Sequence, residues 1–136
     1  MAVSTLQCSE GEPGVQVTSR GDLEAKLADL AREPSPHPVL AILLMPNGGE
    51  AYIGLRGADS VVFLHDPPDA DGWTQEWIPV VDESREGFTA FFLLGQHHSE
   101  FENRMLMPAE QAIRIAAEYY EFGVPPTWIR WEENRF

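Results

Sequence analysis

The stretch GQHHSEFENRMLMPAEQAIRIAAEYYEFGVPPTWIRWEE, Gly95 to Glu133, carries the clearest fold signal in the chain. Its middle repeats apolar residues at helical spacing, with Ala109, Ala112, Ile113, Ala116, Ala117 and Tyr120 on one expected docking face. Pro108 sits where a first-turn proline is tolerated, and Glu110 lies near the positive end of the helix. Gly123 is placed to close the helix in a left-handed cap, and Pro125 and Pro126 prevent its continuation. Thr127 to Glu132 then has the aromatic and β-branched content of a short strand. A helix docked beside a terminal strand is the expected unit, and the remaining chain is expected to supply the sheet beneath it.

Working outward, Ser19 followed three residues later by Asp22 is a capping signal for a first helix. Leu23, Leu27 and Leu30 form its apolar stripe, and Pro34, Pro36 and Pro38 end it and set an extended connector. Val39 to Met45 is short and continuously apolar, as expected of a central strand. The turn Pro46-Asn47-Gly48-Gly49, the segment Glu50 to Leu55, a turn at Gly57-Ala58-Asp59 and the segment Ser60 to Leu64 complete an antiparallel meander. His65 to Gly72 reads as a loop. Trp73 to Val81 reads as a further strand whose end Pro79 demotes to an edge or bend, with Glu76 and Ile78 on one face and Trp73, Gln75 and Trp77 on the other. Asp82 to Gly87 is turn-like, Phe88 to Leu94 is a second dense apolar strand, and Gln96 to Glu100 reads as a polar loop beyond it. The expected class is α+β, an antiparallel sheet of about five or six strands packed with two principal helices. Residues 1–14 are expected as a flexible arm or short edge strand, and residues 15–136 as a single domain.

The composition supports one continuous core, with 43% hydrophobic and 10% aromatic residues. Twenty-two acids against nine bases give a formal charge of −13. Such a field repels nucleic-acid backbones and anionic membranes and speeds encounter with a basic protein. The first residues contain no basic leader, and Val39 to Met45, the longest apolar run, falls far short of the roughly 20 residues that span a bilayer. The expected location is therefore cytoplasmic, with no direct nucleic-acid or membrane partner. Cys8 is the only cysteine, so neither an internal disulfide nor a cysteine-based metal site can form.

Several groups invite a chemical reading. His97, His98 and Glu100 are the residue types of a metal or acid–base site, but adjacent histidines in extended chain point to opposite faces. Asp66, Asp69 and Asp71 before Gly72 lack the ligand series and distal glutamate of a calcium loop. Glu132 and Glu133 are paired acids, yet neighbouring strand residues diverge instead of flanking one bond. Trp128 and Trp131 serve as core anchors or, beside carboxylates, as interface aromatics. Cys8 has no basic neighbour before Arg20 to favour its thiolate. No phosphate loop or nucleophile elbow is present, and neither a catalytic residue nor a metal or cofactor is expected.

Ser99-Glu100-Phe101, Leu106-Met107-Pro108, Gln111-Ala112, Tyr119-Tyr120-Glu121-Phe122-Gly123, Pro126-Thr127 and Trp131-Glu132-Glu133 resemble the first-numbered immunity protein family of bacterial polymorphic toxin systems. The resemblance extends more loosely over the helix after Ser19, the strand Val39 to Leu44 and the turn Asn47-Gly48-Gly49. It departs at Glu102, where members often have proline. The resemblance implies a small cytoplasmic α+β protein that binds and neutralises a cognate secreted toxin domain, with nucleases and nucleic-acid deaminases among the toxins. A cognate basic toxin domain is then the expected partner, blocked by stoichiometric occlusion. The candidates for toxin contact are Asp66, Asp69, Asp71, His97, His98, Glu100, Glu102, Trp128, Trp131, Glu132 and Glu133. The readings from other classes are a small hydrolase using His97 or His98, Glu100 and Glu132 as acid–base groups, and an acidic structural subunit without a toxin partner. Neither the strand order nor the oligomeric state follows from the sequence.

Overall fold

A computed structural model describes residues 3–33 and 38–136. Among these residues, nine strands and two α-helices follow one another as β1 (Ser4–Gln7), β2 (Val15–Val17), α1 (Arg20–Ala31), β3 (Val39–Leu44), β4 (Glu50–Gly54), β5 (Val61–His65), β6 (Gln75–Val80), β7 (Phe88–Leu93), β8 (His97–Glu102), α2 (Ala109–Phe122) and β9 (Arg130–Arg135). The strands hydrogen-bond in the order β2-β1-β3-β4-β5-β6-β9. All these pairings are antiparallel, and the expected meander is β3, β4 and β5. The one parallel pairing joins Val39 and Leu40 of β3 to Phe92 and Leu93 of β7. Because β4 occupies one edge of β3, β1 and β7 share the other, β1 against Ile42 to Leu44 and β7 against the start of the strand.

The fold is α+β with two principal helices, but the sheet has nine strands where five or six were expected. The three strands beyond six are β1, β2 and β8. Residues 1–14 contain β1, which lies inside the sheet between β2 and β3. Gln96 to Glu100, expected as a loop, instead runs into β8, paired residue for residue with β7 from Leu93↔His97 to Phe88↔Glu102. Leu94 and Gly95 take left-handed φ values of 51° and 80°, which reverses the chain within a short turn. β8 carries Phe101 as its only large apolar residue, so hydropathy gave it no strand signal.

Local chemistry sets the helix ends. The Ser19 hydroxyl accepts from the Asp22 backbone N–H at 3.0 Å, as the capping signal implies. The Asp22 carboxylate, however, accepts from the N–H of Thr18 at 2.9 Å, so the reciprocal bond closes one residue earlier than the simple capping box. Gly123 closes α2 with φ 73° and its N–H on the Tyr119 carbonyl at 2.8 Å. The buried face of α2 is Ala112, Ile115, Ala116, Ala117 and Tyr119, rotated from the expected stripe; Ala109, Ile113 and Tyr120 lie at its border. Pro34 and Pro36 lie outside the described residues.

The strand alternation divides the apolar residues into two layers. Leu6, Ala41, Leu43, Ala51, Ile53, Val62 and Leu64 face α1 and α2, where Leu23, Leu27, Ile115 and Tyr119 complete the main core. On the other face, Leu40, Val61 and Phe91 form a second cluster with Met105 and Leu106, flanked by Tyr52, Phe63, Ile78 and Phe101. The β7–β8 hairpin covers only part of that second face. Its open part carries Glu132 and adjoins Glu100 and Glu102 of β8.

Candidate functional site

The register places Glu50, Tyr52, Phe63, His65, Glu76, Ile78, Glu132 and Asn134 on the face opposite the helices. Tyr52 and Phe63 stack with ring centroids 4.5 Å apart and planes 2° from parallel, and Phe101 of β8 tilts against Phe63 at 5.4 Å. Beside this aromatic plate, His65 Nε2 lies 2.6 Å from Glu76 Oε2, and its Nδ1 lies 3.7 Å from Glu50 Oε1. Asn134 Nδ2 donates to the second Glu76 oxygen at 3.3 Å, and Phe136 packs edge-on over His65 at 5.3 Å. The Glu50, His65 and Glu76 side chains sit largely within the surface, at 31%, 13% and 18% exposure.

Between the edge of β8 and this face lies a groove of about 230 Å³. Phe63, Ile78, Phe101 and Met105 give it apolar walls, Phe88 stands at its mouth, and Glu76, Glu100 and Glu102 surround it. One end is clamped by Arg104. Its guanidinium donates two parallel bonds of 2.9 Å to Glu132 and a further bond of 2.5 Å to Glu102. The two carboxylates raise the guanidinium pKa above its ordinary value.

Burial, followed by the neighbouring Glu50 carboxylate, pushes the Tyr52 phenol up to about 12. A phenol whose pKa rises on folding favours the protonated native state, so its stabilising contribution is complete below the unfolded value and declines as pH rises from about 10 toward 12. The difference in alkaline phenolate absorbance between wild type and Tyr52→Phe is expected to appear only near the upper limit. A Tyr52 ionisation at its unfolded value would contradict this packing.

The sequence candidates separate into distinct settings. Glu100, Glu102 and Glu132 come together around the groove and Arg104. Glu133 is exposed and registers with Trp77, so it points to the helix side, away from Glu132. His97 and His98 diverge as expected of neighbours in a strand: His97 meets Glu10 at 2.7 Å, while His98 packs edge-on against Phe92 and lies 3.9 Å from Glu100. Asp66 is an internal anchor, one oxygen 2.8 Å from the Tyr119 hydroxyl and the other accepting from Trp77 Nε1 at 2.8 Å. Asp69 accepts from the backbone of Asp71 and Trp73 and meets Arg135 at 3.0 Å; the two backbone bonds and the arginine hold its carboxyl below the ordinary range. Asp71 is exposed in the same turn.

Trp131 donates to the Pro126 carbonyl at 2.8 Å and anchors the last strand, whereas Trp128 is 40% exposed beneath Arg114, whose guanidinium lies 4.2 Å from its ring. Trp128 belongs to the helix side with Phe122 and Val124, apart from the groove. Burial and Glu33 push the Cys8 thiol up, which disfavours a nucleophilic thiolate. Among the described residues, no group of three or more His, Cys, Asp or Glu is arranged to hold a metal ion, and no helix is long and apolar enough to cross a membrane.

Sequence reasoning missed Glu50, Phe63, His65, Glu76, Ile78, Phe88, Phe101 and Arg104 as site residues. The period-two alternation of Glu76 and Ile78 against Gln75 and Trp77 was visible, but grouping these side chains required the strand order. The arrangement places aromatic area at the centre and carboxylates around it. The family model described as Immunity protein Imm1 matches residues 11–133 of the chain. No curated protein matches it.

Proposed function

The chain belongs to the Imm1 immunity protein family, and from that premise we propose that it neutralises a basic, nucleic-acid-processing toxin domain by occluding the substrate cleft with its acidic sheet face. As an immunity protein it acts by binding a toxin and is not an enzyme. The toxin would be a nuclease or a nucleic-acid deaminase, and the encounter would take place in the cytoplasm of the cell under protection.

The observation that carries the reading is the state of the charges. Eight of the nine basic residues are already held in ion pairs with the chain's own acids. The surplus of acids therefore faces outward uncompensated, and a cleft built to accept a polyanion offers the complementary sign. Phe63, Phe88 and Phe101 would supply the desolvated centre, with Glu76, Glu100, Glu102 and Glu132 forming the polar surround. Asp71 and His98 would contribute peripheral contacts, and Glu133, on the helix side, would lie outside this face. Trp128 would belong to a separate patch.

The test is co-purification with the toxin domain encoded beside this chain, followed by affinity measurements over a salt series. A 1:1 complex with a dissociation constant on the order of nanomolar, weakening as salt screens the charges, is the expected result. A complex whose affinity is indifferent to salt would contradict electrostatic capture, and failure to bind at low salt would contradict the pairing itself.

A further inference from the structure

Building on the immunity reading, we infer that the groove between β8 and the β5–β6 face receives an arginine side chain of the toxin. The groove is large enough for one extended side chain, and its chemistry has two parts. Phe63, Ile78 and Phe101 offer apolar and ring surface to a methylene stem and a planar cation, while Glu76 within the lining and Glu100 at its rim supply carboxylates for its N–H groups.

The protein's own arginines show what this combination accommodates. Arg114 lies over Trp128 beside Glu118, Arg135 lies over Trp73 beside Asp69, and Arg104 forks onto Glu132 beside Met105. In the first two cases an aromatic face and a carboxylate hold one guanidinium. Phe63 and Phe101 with Glu76 bring rings and a carboxylate into one lining, with Glu100 at its rim on the other side of β8 from Phe101, and among the described residues no Arg or Lys is stacked on either ring.

Glu76 is fixed in position, with His65 and Asn134 each on one of its oxygens. Glu100 is more than half exposed, and among the described residues its side chain meets His98 alone, at 3.9 Å. A planar guanidinium fits this pair better than a lysine ammonium, because it can stack on a phenyl ring while it donates in the ring plane to carboxylates.

The experiment uses the full chain, the toxin domain encoded beside it, and N-acetyl-arginine methylamide as a minimal probe. Glu100→Lys is expected to weaken toxin binding by about 100-fold and Phe88→Ser by about tenfold, with unfolding midpoints close to wild type because both side chains are exposed. Asp29→Lys, on α1 across the sheet, makes the same change in charge and is expected to stay within about threefold. Either groove variant remaining within about threefold, while the wild type still inhibits, overturns the arginine assignment and leaves the immunity reading intact.

Independently of the toxin, NMR titration with the arginine probe is expected to give saturable shifts at Phe63, Glu100 and Phe101, and N-acetyl-norleucine methylamide to give none. Absence of arginine-specific shifts there overturns the assignment. A wild-type protein that fails to bind the toxin refutes the pairing, and the probe titration then decides the groove alone.

Discussion

Tyr119→Ala is expected to remove about 3–5 kcal/mol of unfolding free energy, the cost of deleting a large buried aromatic side chain. Tyr119 is fully buried on α2, and its hydroxyl lies 2.8 Å from Asp66 Oδ1 and 3.0 Å from the His65 carbonyl. The other Asp66 oxygen accepts from Trp77, so one carboxylate ties the helix to β6 at the end of β5. Burial and the Asp66 carboxylate both push the Tyr119 phenol far up, which keeps its proton available for this network. Tyr119→Phe retains the ring and removes only the donor, so it is expected to cost about 1–3 kcal/mol by leaving buried acceptors short of a partner. Against a typical domain stability of about 5–15 kcal/mol, the alanine variant would be severely weakened. Urea denaturation of both variants checks the difference. A phenylalanine variant as stable as wild type would show that the hydroxyl network contributes nothing, whereas an alanine variant equal to the phenylalanine variant would contradict the packing of the ring.

Gly54→Ala is expected to destabilise the protein by about 1–3 kcal/mol through overpacking. A β-carbon built on Gly54 would meet Phe91 ring carbons at 2.5 and 2.7 Å, and Phe91 is itself fully buried between sheet and hairpin. The glycine is required here by close approach of a side chain, because a ring seated against the backbone leaves no room for a methyl group. Relief requires β7 to lift from β3, which would also move β8, the outer wall of the groove. Lower stability and weaker toxin binding are therefore expected together. Shortening the obstacle in Gly54→Ala/Phe91→Leu should recover part of the stability, visible as a non-additive double-mutant cycle. Wild-type stability for the single Gly54→Ala variant would contradict the tight seating of the hairpin.

The helical parts of this fold were legible because their signals are local. Ser19 and Asp22 mark the start of α1, Gly123 the end of α2, and the Asn47-Gly48-Gly49 turn the first hairpin of the meander. The hairpin at β8 was hidden because its strand is mostly polar and its turn begins with Leu94, an uncommon left-handed residue. The candidate groove was legible only in fragments. Glu100, Glu102 and Glu132 were singled out individually, yet Arg104, which holds Glu102 two residues before it, reaches Glu132 across a sequence separation of 28 residues, and only the β6–β9 register places Glu132 beside Ile78. Asp66 illustrates the converse: in sequence it belongs to an acidic loop, while in space both of its oxygens are engaged within the fold.

Titration of the toxin's catalytic activity with this protein tests the central claim most directly. Activity falling linearly to nothing at one equivalent, with the stoichiometric end point softened in high salt, is the result expected of an acidic occluding inhibitor. Full toxin activity in the presence of a molar excess at low salt would contradict it.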